Sequence, residues 1–140
     1  MSITVNLRYI GTDGNARKFA EEMVSSGTVD AIRAEDGNLR YEYYQSLDDP
    51  ETILLIDSWA NQEAIDKHHA TPMMDTIVRL REKYDLHMTV ERYSAIEMSE
   101  TENQFIRRKQ NEKSTERYYS LPFLDGMGTD KRFNLRWRTE

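Results

Sequence analysis

Residues 3–9 alternate strictly between two kinds of side chain: Ile3, Val5, Leu7 and Tyr9 fall on one face, Thr4, Asn6 and Arg8 on the other. That two-residue period belongs to a half-buried strand. It returns at 86–93, and everything between must fit a chain that opens and closes on a strand. After the turn cluster Gly11, Thr12, Asp13 and Gly14, the apolar residues Ala16, Phe19, Ala20, Met23 and Val24 recur with the spacing of one helix stripe, and Gly27 is placed to stop it. Val29 and Ile32 predict a short extra turn before Asp36 and Gly37. The Tyr-rich run 38–45 and the apolar run 52–59 predict two strands, joined as a hairpin by the turn at 47–51. Asn61 is suited to cap a short helix carrying Ala64, Ile65 and His68. Thr71 and Pro72 are expected to restart it, with Thr71 as cap and Pro72 at the first position, and Met73, Ile77, Leu80 and Tyr84 as the stripe.

The order is β-α-β-β-α-β. Few arrangements bury the apolar faces of such a chain, and the simplest merges two β-α-β halves into one antiparallel sheet with both helices on the same side. The expected fold is therefore α+β, of the split β-α-β or ferredoxin-like class, over residues 1–96. The opposite sheet face is expected to carry several aromatics and to be covered by a ligand or a second copy of the chain. Residues 97–140 form a C-terminal extension expected to pack on the body or on a partner subunit. Its first part, to Arg117, is polar enough to be a linker or an exposed helix, whereas 118–124 and 133–137 are apolar enough to dock.

Charge narrows the partners. The chain carries −6 overall, and residues 1–96 hold 10 basic against 17 acidic residues. An acidic body argues against nucleic acid, since binding phosphates requires an excess of Lys and Arg on one face. The absence of cysteine excludes disulfides, thiolate nucleophiles and Cys-based metal sites. No signal peptide or spanning segment is visible, so a cytoplasmic protein away from membranes is expected. His68, His69 and His87 do not make a plausible metal set, because adjacent helical residues point about 100° apart; no metal is expected. A chain of this size gains buried area by pairing, which favours a homodimer.

The most informative stretch runs from Asp57 to Met73. Asp57 stands two residues before Trp59, which closes a strand; His68 follows nine residues after Trp59, and then come Thr71 and Pro72. Upstream, Gly37 precedes Tyr41 and Glu42 with Gly-x-x-x-Tyr-Glu spacing. In this order and on these elements, the residues resemble the antibiotic biosynthesis monooxygenase family over about residues 3–96. The resemblance implies a dimeric α+β barrel and, in members of known activity, oxidation of quinols or polyphenols by dioxygen with no bound metal or flavin cofactor. Two positions depart from the pattern: Met73 stands where many quinol-oxidising members have a second His, and Asp57 where Glu is usual. Heme degradation, another activity of the fold, is disfavoured. Asn6 matches its Asn, but His68 and Val78 occupy the positions of its Trp and its iron-ligating His.

These residues have chemical uses and plainer ones. His68 would be the catalytic base, since a neutral imidazole titrates near working pH; it could equally be a structural histidine bonded to the sheet. Trp59 would stack on a planar aromatic or serve as core. Asn6 would donate to a substrate oxygen and Arg8 offset an anion, or both would be solvated. Tyr41, Tyr43, Asp57 and Met73 complete the expected walls of a site for a small aromatic molecule. The leading reading is a cofactor-independent monooxygenase, an oxidoreductase. A non-catalytic small-molecule-binding or assembly module of the same fold is the alternative. An autoinducer-type isomerase would need a phosphate pocket, for which Arg8 and Arg40 are the candidates.

Overall fold

The computed structural model describes residues 1–109. Met1–Ala95 makes one compact unit, and Ile96–Glu140 belongs to a second. In the first unit, β1 (Ile3–Ile10), α1 (Asn15–Ser25), α2 (Thr28–Arg33), β2 (Asn38–Gln45), β3 (Thr52–Trp59), α3 (Gln62–His69), α4 (Met73–Lys83) and β4 (His87–Ser94) follow in order. The strands form one antiparallel sheet in the order β2-β3-β1-β4. Each β-α-β half thus receives a strand of the other half between or beside its own, which is the ferredoxin-like α+β fold. Through residue 109, the second unit holds one short helix, α5 (Glu100–Asn103), opened by a capping box between Ser99 and Glu102. The segments expected to dock, 118–124 and 133–137, lie outside the described residues.

Register decides what each face carries. Val5 pairs with Asp57 and Arg92, Leu7 with Leu55 and Val90, and Tyr9 with Ile53 and Met88, all on the helix-covered face. Tyr41 and Tyr43 join them from β2, so the aromatics expected on the bare face are mostly on the covered one; Tyr44 and Tyr93 are left outside. The core runs through Tyr9, Phe19, Met23, Ile32, Leu55 and Trp59, all fully buried. The predicted turn at Val29 and Ile32 is helix α2, entered through Gly27 at φ +81°, a conformation that favours glycine.

The second helix is two helices. Asn61 caps α3 as expected, its side-chain oxygen accepting from the Ala64 N–H at 2.9 Å. Thr71, however, does not cap α4. Its hydroxyl donates back to the His68 carbonyl at 2.7 Å, closing the end of α3, and α4 begins after Pro72 with no side-chain cap. Pro72 lacks the N–H that a continuous helix would need, so the chain breaks here and α4 starts afresh at Met73.

Candidate active-site cleft

The helix layer does not cover the sheet evenly. Phe19 of α1 lies with its ring 4.8 Å from that of Tyr9 and meets Tyr43 edge-on at 6.2 Å, filling the centre of that half, while an open groove of about 420 Å³ runs along its edge between α1 and Tyr43, Gln45 and Ile53. On the other side, every residue of β4 is exposed. Between β1, β3, β4 and the pair α3–α4 runs a cleft of about 410 Å³, within the range that holds a small organic ligand. Leu7, Leu55 and Val90 give it an apolar floor and Ile65 and Ile77 an apolar roof; Asp57, His68, Arg81 and Arg92 bring the polar groups.

His68 is held on two sides. Its ring lies 4.7 Å from the Trp59 ring at 30°, and its Nδ1 is 2.6 Å from Glu35 Oε2. Both side chains are well shielded, at 5% and 15% exposure. Nδ1–H donating to the Glu35 carboxylate fixes the tautomer in which Nε2 is the free, basic nitrogen. Glu35 reaches this place because its loop is pressed on α3. Gly37 sits at φ +85°, its carbonyl accepts from the Ala60 N–H at 2.8 Å, and a Cβ there would lie 2.6 Å from that of Ala64. Burial lowers the proton affinity of His68, against the opposing pull of Glu35.

Asp57 is the second acid–base group. Its Oδ1 accepts from the Trp59 indole N–H at 2.6 Å. Burial, reinforced by the charge of Glu35, pushes its pKa up to about 7, against that indole bond. Near neutral pH it is therefore partly a carboxylic acid, able to donate a proton as well as accept one. Burial raises the phenols of Tyr41 and Tyr9 as well. Among the described residues no group of His, Cys, Asp and Glu is placed to hold a metal ion, and no helix is long and apolar enough to cross a membrane.

The sequence profile of the antibiotic biosynthesis monooxygenases matches residues 2–80, more than half of the chain. The chain belongs to that family. Solved structures agree on the fold. A Deinococcus radiodurans protein described as a candidate antibiotic biosynthesis monooxygenase superposes with a TM-score of 0.60 at 23% identity, covering 71% of this chain and 96% of its own. A Pseudomonas aeruginosa protein gives 0.59 at 22% identity, covering 69% and 95%. SnoaB from Streptomyces nogalater, a cofactor-independent oxygenase, gives 0.58 at 13% identity, covering 69% and 95%. The comparison with curated proteins gave no match.

Of the candidate site residues, the cleft gathers Tyr41, Asp57, Trp59 and His68. It does not gather the rest. Asn6 and Arg8 lie on the sheet face away from the helices, where the Asn6 side-chain oxygen is buried without a hydrogen bond. Tyr43 turns toward α1, and Met73 packs at the edge of the core while its neighbour Met74 lines the cleft. Arg40, a candidate for phosphate, is paired with Glu42. Sequence reading passed over Glu35 and Arg81. Glu35 sits in a loop with no periodicity, 33 residues from its partner, and Arg81 follows a helix stripe read only for its apolar members. The one available signal for Glu35 was its place just before the Asp36–Gly37 turn that opens the family's Gly-x-x-x-Tyr-Glu strand.

Proposed function

We propose that this family member is a cofactor-independent monooxygenase that oxidises a small quinol- or polyphenol-like aromatic with dioxygen in the cleft between the sheet and α3–α4. The observation that carries the reading is the Glu35–His68 pair, an oriented imidazole with its basic nitrogen free, opening onto an apolar slot. His68 Nε2 takes the proton of a substrate hydroxyl, and the oxyanion passes one electron to dioxygen. The radical pair combines at carbon as a peroxide anion, which takes back the proton from His68 and then loses water together with the hydrogen on that carbon to leave a carbonyl; one oxygen atom enters the product and the other leaves as water. Trp59 backs the imidazole, Tyr41 shapes the wall, and Asp57 in its acid form donates to a developing oxyanion. Glu35 acts through His68 as a positioning residue.

A homodimer belongs to the same proposal. The helix-free face presents Ile10, Tyr44 and Tyr93 at 40%, 39% and 50% exposure, and a second copy seated there would cover them. Light scattering after gel filtration should then give twice the chain mass.

The test of function is dioxygen uptake over a panel of anthrones, naphthoquinols and polyphenols, run under ¹⁸O₂. One labelled atom in the product is the expected result. Binding without uptake on every compound would favour a non-catalytic binding module, and label recovered as hydrogen peroxide would mean an oxidase.

A further inference from the structure

Of the seven arginines in residues 1–96, three pair with a carboxylate: Arg17 with Glu21, Arg33 with Asp30, and Arg40 with Glu42. Arg81 does not. It lines the cleft, its Nη2 donates to the neutral Tyr9 hydroxyl at 3.1 Å, and its guanidinium carbon stands 5.5 Å from the centre of the Tyr9 ring. Its Nε is buried and has no hydrogen-bond partner, and no carboxylate among the described residues comes within 4 Å. It shares the cleft with the apolar side chains of Leu7, Ile77 and Met88. A cation partly withdrawn from water with an idle buried donor is costly unless something anionic completes it.

We propose that Arg81 is an anion-recognising subsite of the cleft, so that the molecule bound there is a small apolar compound carrying a carboxylate or a comparable planar oxyanion. The accessible end of the guanidinium offers its two Nη groups side by side, a geometry that can grip two oxygens at once, while the buried Nε keeps the charge desolvated. The acid–base pair lies elsewhere in the cleft. Tyr9 stands four residues along β1 from Val5, the partner of Asp57, which is about 13 Å of strand. An anionic tail at Arg81 would thus orient an aromatic body lying over Leu7 and Leu55. Arg92, the other cleft arginine, donates to Gln62 at the exposed edge strand and has solvent for its charge; it serves as the control.

The inference rests on the reading of this cleft as the substrate site, yet its test needs no oxygen chemistry. Calorimetric titration of the full chain with 2-naphthoate and with its neutral isostere 2-naphthamide should show the carboxylate binding tighter by roughly tenfold or more at low salt. Arg81→Gln should bring the two affinities together and Arg92→Gln should leave the preference in place. Arg81→Lys keeps the charge without the fork, and should retain only part of the preference while melting as the wild type does. Equal affinities in the wild type, no binding of either compound, or a preference that survives Arg81→Gln would overturn the proposal. A naphthoate preference in a protein that consumes no dioxygen with any quinol would leave the anion subsite standing and remove the oxygenase reading. Turnover of neutral quinols with no such preference would do the reverse.

Discussion

The two β-α-β halves share one plan and make opposite things of it. In the first, α1 lies flat on the sheet, and Ala16, Phe19 and Met23 are wholly buried against Tyr9 and its neighbours. In the second, the helix is broken between His69 and Met73, and the two pieces leave β4 uncovered. The first half is packed at its aromatic centre and keeps only a shallow groove without an acid–base pair along α1, and the second is a cleft with an acid, an imidazole and two guanidiniums in it. The break is small in sequence, a Thr and a Pro, but it converts helix–sheet packing from filling space to enclosing it. A supersecondary plan therefore fixes where a site can be, and the interruption of one helix decides that it is there.

That contrast is open to being broken. Phe19→Ala in the first half should cost about 3–5 kcal/mol of stability, read by urea denaturation, with ligand affinity unchanged wherever the protein stays folded. A loss of affinity in step with stability would mean that the halves are not separable.

Gly37→Ala probes the joint between them. The substitution asks a Cβ to occupy a left-handed backbone position and to overlap Ala64 at 2.6 Å. About 2–4 kcal/mol of destabilisation is expected, together with a shift of the His68 ring resonances, since Glu35 rides on the same loop. A wild-type denaturation midpoint would show that the loop yields without cost.

The smallest effect expected is that of Asp57→Asn, and it depends on pH. Folding raises the Asp57 pKa from the ordinary carboxylate value of 3.8 to about 7, so between these values the folded chain holds a proton that the unfolded chain releases. The stability tied to that proton is full below about pH 4 and lost as pH rises through 7. The Asn variant, which can still accept from the Trp59 indole, should therefore melt close to the wild type at pH 4 and above it at pH 8. The full shift corresponds to about 4 kcal/mol as a ceiling, and solvent reaching the half-buried carboxyl should hold the observed difference to about 2 kcal/mol. A gap that does not change with pH would remove the buried-acid description.

Much of the fold was legible from residue order. Alternation located the strands, stripes at helical spacing located α1 and α4, and Asn61 announced its cap, because each of these signals is local and repeats along the chain. Trp59 and His68 could be read as neighbours because a strand end and the next helix must meet. Glu35 could not be read this way: its contact with His68 depends on how closely a loop approaches α3, which is a property of packing at Gly37. Arg81 was hidden for a related reason, since a long side chain at the margin of an apolar stripe looks solvated until the helix is placed over the sheet. Asn6 and Arg8 were read correctly as to face, and the cleft lies on the other one. Thr71 was read as a cap because Thr before Pro usually is one; here its hydroxyl goes to the His68 carbonyl instead.

The account turns on His68 as an oriented base, and the most direct measurement is dioxygen uptake by the wild type and His68→Gln side by side on a quinol that the wild type consumes, with melting curves taken on both. The account predicts that His68→Gln melts near the wild type and loses roughly 10²–10⁴-fold in turnover. Equal uptake by the two folded proteins would contradict it.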